Sequence, residues 1–414
     1  MMRWLFAVFI LSLVQAKSKK VFDYYGSDSS SSEEIEESDY IPDVETTMDY
    51  RGTIRKTFAL ELALRSEGQN MACSPLSALI PIAKLILGSK KRSKTEKELL
   101  NAVGMEDRRQ VKSIAKTLIE NLENLGGVEL SLVSRVYLHK DKKLRKRFKS
   151  RVQNIFGSAV EPLDMNNQVE TARIINTWVS DNTNKKIQNI VDQKFIRPDL
   201  SLLLVNAIYF MGIWKDIFPK AQMAKFHSET GGTYDVPMMS RTGRYNYIKY
   251  DELNAQILEI PYQGDEAAMV ILLPYSSKGL PILLRTLLLS PNLMNDALKK
   301  MKTAKVEVSI PKFKIETSLD LRGFYSKMGL KTTMSDKSHL TKIVKDENVY
   351  ISGAIQKAYI LVNECGTEAA AATVITGLSA SMYQPIQFTA NHPFLFYIVG
   401  KKEQLFAGVV NNLK

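Results

Sequence analysis

The sequence predicts a single large α+β domain, and three observations predict it. Helical periodicity fills most of the first third, strand-like runs dominate the rest, and nothing after residue 50 reads as a linker. Ile54, Phe58, Leu62 and Leu64 recur at helical spacing, and further helical stretches fall near 75–88, 93–103 and 107–125. Alternation then marks strands at 129–138, where Leu130, Leu132 and Val136 oppose Glu129, Ser131 and Arg135, and at 305–310. The runs 202–210, 267–273, 394–399 and 405–410 are apolar throughout, the pattern of strands buried on both faces. With 45% hydrophobic residues in 414, the chain has material for a large core. No internal repeat or Pro- and Gly-rich break interrupts 50–414, so one domain is preferred to two.

Two segments of different character precede that domain. Arg3, the apolar run 4–14 and the small residue Ala16 have the layout of a secretory signal peptide over 1–16. That run is too short to span a bilayer comfortably, and no later stretch approaches the ~20 apolar residues a spanning helix needs. Residues 17–49 carry ten acidic residues and three lysines with few large apolar side chains, so an acidic disordered tail is expected. It reads equally as a spacer or as a segment that engages a partner. The net charge of +12 therefore conceals a body, 50–414, with 52 bases and 34 acids, a surface that attracts polyanions. In a secreted protein these are sulfated glycans rather than nucleic acid. Only Cys73 and Cys365 occur, which excludes a disulfide scaffold; they read as two separate thiols, although pairing is open.

The stretch 364–388, ECGTEAAAATVITGLSASMYQPIQF, is the least ordinary. Its first half is Gly, Thr, Glu and four consecutive alanines, side chains too small to make a core but able to pass between strands without steric conflict. On an extended chain Thr367, Ala369, Ala371 and Thr373 share one face, with Glu368, Ala370 and Ala372 on the other. An Ala-rich helix suits the same composition, and composition does not choose between the two.

VNECGTEAAAAT, at 362–373, resembles the hinge of serpin reactive loops, usually VNEEGTEAAAAT, and FTANHPFLFYI, at 388–398, resembles the signature just beyond that loop. Further matches run in order along 50–414: NMACSPLSAL at 70–79, TEKELLNAVGM at 95–105, NAIYFMGIWKDIF at 206–218, VPMM at 236–239, IPKFKIETSLDL at 310–321 and LFAGVVNN at 405–412. The resemblance implies the serpin fold, with about nine helices, three β-sheets and an exposed reactive-centre loop over about 364–388. It also implies a monomeric, secreted inhibitor that forms a covalent complex with a serine protease and has no catalytic residues of its own. The hinge would comprise Glu364, Gly366, Thr367, Ala369, Ala371 and Thr373. Counting seventeen residues from Glu364, as in inhibitory members, ends at Ala380, so the reactive bond would join Ala380 to Ser381, with Leu378 and Met382 as neighbours. No Lys or Arg occurs from 366 through 399, which argues against trypsin-like targets and leaves elastase-like or chymotrypsin-like ones. Some members are carriers or storage proteins, and this is the alternative reading. Two positions depart from the family pattern: Cys365 stands in place of Glu or Lys, and Gln356 where many relatives have His.

An enzyme is disfavoured. GLSAS at 377–381 lacks the closing glycine of a nucleophile elbow, and there is no phosphate-binding glycine loop. His139, His227, His339 and His392 lack metal-ligand spacing, so no metal or cofactor is expected, and neither nucleic acid nor membrane is expected as a partner. The run 140–151 holds eight bases and one acid. A solvated face accounts for some such runs, but Lys142, Lys143, Arg145, Lys146, Arg147, Lys149 and Arg151 are also candidates for binding a heparin-like sulfated glycan as an accessory. Arg108, Arg109, Lys112 and Lys116 form a second basic stretch that the family topology brings nearby.

Overall fold

The computed structural model describes residues 59–61, 63–64, 66–123, 125–345, 347–365, 384–401 and 403–414. The expected signal peptide, the acidic tail and the stretch 366–383 lie outside them. After a short strand β1 (Met71–Cys73) come helices α1 (Pro75–Gly88), α2 (Lys94–Val103) and α3 (Arg109–Glu123). Next are β2 (Val128–His139), α4 (Lys146–Phe156), β3 (Val160–Leu163), α5 (Gln168–Asn182) and β4 (Leu202–Gly212). Strands β5 (Gln222–His227), β6 (Thr233–Tyr250), β7 (Ala255–Pro261) and β8 (Ala267–Pro274) follow, then helices α6 (Leu280–Leu289) and α7 (Asn292–Lys300). The last part contains β9 (Lys302–Pro311), β10 (Phe313–Asp320), α8 (Arg322–Lys327), β11 (Ile351–Val362), β12 (Ile386–Thr389), β13 (Phe394–Gly400) and β14 (Glu403–Val410).

Local chemistry sets several of these bounds. Ser74 caps α1, its Oγ accepting from the Ser77 amide at 3.2 Å, and Pro75 occupies the first turn, where its missing N–H is no loss. Ser93 caps α2 in the same way through the Glu96 amide, and Gly104 ends that helix in the left-handed region at φ 66°. Gly157 closes α4 at φ 62°.

The strands form two hydrogen-bonded sheets. One has five strands in the order β10-β11-β4-β2-β3. The other is a nine-stranded array, β1-β14-β13-β8-β7-β6-β9-β12, with β5 also on β6. The long β6 joins two groups: its first part pairs β5 and β9, and its last residues pair β7. The second and third expected sheets therefore share one strand. Among the described residues there are these eight α-helices, a further helical segment at 59–61 and 63–64, and one 3-10 turn at Asp251–Leu253, in keeping with the nine or so helices expected.

The apolar run at 202–210 meets core clusters on both faces of its sheet, two on one face and a third on the other. Leu202 and Leu204 face the cluster built on α1, and Ile208 and Phe210 the cluster shared with the nine-stranded array. Leu203, Val205, Ala207 and Tyr209 point the other way, onto Ala172, Ile175 and Val179 of α5. A period of two with core on both faces is what makes the run continuously apolar. No helix among the described residues is long and apolar enough to cross a membrane.

The most deeply buried charged side chain among the described residues lies in this packing. Lys84 of α1 is 1% exposed, and its Nζ donates to the Ser134 carbonyl at 2.7 Å, to Ser134 Oγ at 3.1 Å and to Ser158 Oγ at 2.8 Å. Burial, with the charge of Arg135 adding to it, pushes this amine down to about 7 from the ordinary 10.5. Between those values the folded chain binds fewer protons than the unfolded one, so stability rises with pH across that window. Below about pH 7 the penalty of burying the ammonium is fully present. Lys84→Met should therefore raise the urea midpoint at neutral pH, by an amount worth a few kcal/mol at most, since a tenfold change in proton affinity is worth ~1.4 kcal/mol. It should also flatten the dependence between pH 7 and 10. Superimposable pH profiles for the two proteins would contradict a neutral, buried amine.

Candidate functional site

The centre of the five-stranded sheet is a seam between two parallel strands. β11 pairs with β4 from Ile351 opposite Leu202 to Ile360 opposite Phe210, with one irregularity between Ile351 and Gly353. The outer neighbours of both are antiparallel: β10 on β11 and β2 on β4. The chain leaves β11 at Val362, the end of the seam at which β4 also finishes. A segment turning back from that end runs antiparallel to β4 and to β11 at once, and so fits the ladders of both.

A polar cluster sits midway along the seam. Gln356 of β11 lies opposite Asn206 of β4. Its Oε1 accepts from the Ser74 amide at 3.0 Å and its Nε2 donates to the Ser74 carbonyl at 2.9 Å, which fastens the start of α1 to the sheet. Both polar atoms of the fully buried Asn206 side chain, and Ser77 Oγ, lack a hydrogen-bond partner among the described residues. Sequence reasoning picked out Gln356 but not Asn206. The signal was present, a single amide inside the apolar run LLLVNAIYF.

Beyond the seam, the segment around Trp214 grips residues 363–365, where the expected hinge begins. Trp214 Nε1 donates to the Asn363 carbonyl at 2.8 Å, the Trp214 amide to the Cys365 carbonyl at 3.2 Å, and the Phe218 amide to the Glu364 carbonyl at 3.0 Å. The indole is 1% exposed, stacked on Tyr262 at 4.5 Å and 8°, with Phe218 edge-on at 5.9 Å. Glu364 pairs with Lys312 at 2.8 Å and accepts from the Ala221 amide at 3.2 Å. Partial burial pushes its carboxyl upward, but the bonds from Lys312, its own amide and Ala221 outweigh this and hold it below the usual carboxylate range. Of the expected hinge residues, only Glu364 is described. Gly366, Thr367, Ala369, Ala371, Thr373, Leu378, Ala380, Ser381 and Met382 lie outside the described residues. Cys365 is a free, half-buried thiol and Cys73 a buried one.

The basic run is divided by the structure. Lys142 pairs with Glu347, and Arg145 Nε donates to the Val344 carbonyl at 2.6 Å. Lys143, Lys146, Arg147, Lys149 and Arg151 are exposed. Phe148 and Val152 fix the inward face of α4, so helical geometry puts Arg147 and Arg151 on one flank and Lys146 and Lys149 on the other. His392 hydrogen-bonds the Pro274 carbonyl at 2.9 Å, and burial lowers its pKa, the setting of a structural imidazole. Among the described residues no group of three His, Cys, Asp or Glu is placed to hold a metal ion.

Comparison with known proteins agrees with this geometry. The sequence profile of the family described as Serpin (serine protease inhibitor) matches residues 55–413. Antichymotrypsin-2 of Bombyx mori is 35% identical over 353 residues, covering 84% of this chain and 93% of that protein. Antitrypsin of the same organism is 34% identical over 357 residues, covering 85% and 90%. The crystal structure of Serpin48, described as a highly specific serpin in the insect Tenebrio molitor, superposes with a TM-score of 0.78 at 28% identity, covering 90% of this chain and 99% of that one.

The grip on the hinge has a measurable worth. Trp214→Phe keeps a ring against Tyr262 but removes the donor to the Asn363 carbonyl, and is expected to cost about 1–2 kcal/mol in urea unfolding. An unchanged midpoint would show that the indole bond contributes nothing.

Proposed function

The chain belongs to the serpin family, and we propose that it is a secreted suicide-substrate inhibitor of elastase-like or chymotrypsin-like serine proteases. The observation that carries this reading is the parallel β4–β11 seam, which ends where the hinge begins. The catalytic machinery is the target's. Its serine oxygen attacks the Ala380 carbonyl carbon, the Ala380–Ser381 peptide bond breaks, and the Ser381 amine leaves with the proton supplied by the enzyme. The result is an ester between the target's serine and Ala380. The chain beyond residue 384 remains anchored in the other sheet, through β12 on β9 and β13 between β8 and β14.

Residues 367–380 are then free to enter the seam. Fourteen residues at ~3.3 Å each span about 45 Å, enough to carry the tethered protease the length of the sheet and deform it before water reaches the ester. Insertion replaces one parallel ladder by two antiparallel ones. It asks that the side chains facing the core be small and uncharged, which Thr367, Ala369, Ala371 and Thr373 are. The same property favours inhibition over the carrier or storage reading. Gln356 stands where many relatives have a titrating imidazole, so seam opening in this chain is not governed by that proton.

Two similarly related proteins, an antichymotrypsin and an antitrypsin, do not select the target class between them. The loop favours a pocket for a small or apolar residue, since 366–399 contains no cation. Secretion rests on the signal-like sequence of 1–16.

Ala369→Arg or Thr367→Arg would have to bury an unpaired guanidinium during insertion, and is expected to turn the inhibitor into a substrate, cleaved without retention of the enzyme. Gel electrophoresis in SDS checks this; an unchanged yield of covalent complex in either variant would refute insertion. Mass spectrometry of the C-terminal fragment released by an elastase should show Ser381 at its start, and cleavage outside 378–382 would defeat the assignment of the reactive bond.

A further inference from the structure

We propose that cations from three separate stretches of chain, Lys91, Arg147, Arg151 and Lys342, form a composite binding site for a sulfated polysaccharide at the pole of the five-stranded sheet opposite the hinge. Backbone pairing brings the stretches together. The Lys342 amide donates to the Gly88 carbonyl at 2.9 Å, the Lys90 amide to the His339 carbonyl at 2.8 Å, and the Arg145 amide to the Ile343 carbonyl at 2.8 Å. Leu144 bridges Val344, and the Lys345 amide donates to the Lys143 carbonyl at 3.0 Å. Gly88 permits the close approach: a Cβ there would lie 2.4 Å from Ile343 Cγ1 and 3.0 Å from the Phe148 ring.

The charges are close enough to affect one another. Partial burial, followed by the charge of Arg108 and then those of Lys91 and Arg151, holds the Lys342 amine below the ordinary lysine range, while Glu96 acts in the opposite sense. That carboxylate is already committed: Glu96 pairs with Arg108, whose guanidinium also donates to Ser89. Lys91, Arg147, Arg151 and Lys342 have no ion pair with a carboxylate among the described residues. The cluster is thus a set of uncompensated cations in mutual repulsion, and a bound anion relieves that repulsion. Arg147 and Arg151 stand one helical turn, ~6 Å, apart and present forked donors suited to sulfate oxygens.

The surroundings select the class of polyanion. Among the described residues the large exposed apolar side chains, Val169, Ile213, Met223, Tyr275, Ile282 and Leu289, all belong to other stretches of the chain. The site therefore offers neither an aromatic platform for nucleic-acid bases nor an apolar wedge for lipid. The hinge is one length of β11 away, and its 12 residues make about 40 Å, so an occupant tethers the protein without covering residues 363–365.

Calorimetric titration of the full chain with a heparin fragment of defined length, without protease, tests the site separately from inhibition. Arg151→Gln combined with Lys342→Gln is expected to weaken binding about a hundredfold, roughly tenfold per cation. Its salt dependence should also be shallower. Arg109→Gln, Lys112→Gln and Lys116→Gln together on α3 should leave the affinity within about threefold. Lys91→Glu, on the exposed rim, gives a second loss variant should the first fold poorly by circular dichroism. Wild-type affinity in the Arg151/Lys342 and Lys91 variants would overturn the proposal, as would loss of binding in the α3 variant, no binding by the wild type, or equal binding of desulfated heparin. Tighter binding of a DNA oligonucleotide than of heparin would overturn the choice of ligand.

Discussion

The parallel pairing of β4 with β11 is the constraint on which the rest of the structure depends. Both strands are buried on both faces, so neither can leave the sheet without exposing apolar clusters on either side of it. Of the parallel pairs among the described residues, theirs is the one that ends at residues 363–365, so a strand turning back from there would be antiparallel to both neighbours. The seam between them holds, midway, Asn206 with both amide atoms buried and without a partner among the described residues, and Gln356 engaged with the start of α1 rather than with Asn206. The middle of the seam is therefore a polar site set between apolar cores.

The hinge residues make the opposite kind of contact. Asn363, Glu364 and Cys365 are each held through a backbone carbonyl by Trp214 or Phe218, and the Glu364 carboxylate is tied to Lys312 and Ala221. The end of the seam is therefore held by protein hydrogen bonds, while its middle carries the amides of Asn206 and Gln356. On the proposed mechanism these contacts at 363–365 must give way before a strand can enter the seam.

Much of this was legible in the sequence. The helix at 75–88 was legible from its periodicity, and the structure shows Ser74 and Pro75 marking its start; 202–210 read as doubly buried because it is apolar without a break, and clusters do cover both of its faces. Which strands are neighbours was not legible. Asn206 and Gln356 are far apart in the chain, and no local pattern records that they meet. The same holds for the indole of Trp214 and the Asn363 carbonyl, which the family motif NAIYFMGIWKDIF flags without saying what it touches. The basic run at 140–151 was visible as charge, but sequence proximity was a poor guide to charge in space. Lys142 and Arg145 are engaged elsewhere, α4 splits the remainder between two flanks, and the neighbours of Arg151 come from the segments around 91 and 342.

The central claim is that the folded chain sits above a more stable arrangement that cutting the loop makes accessible. The most direct measurement is the thermal unfolding of the intact protein beside that of material nicked at residues 378–382 with both fragments retained. A transition that moves sharply upward after the cut is the predicted result. A nicked protein that melts at the temperature of the intact one would mean that the seam admits no new strand.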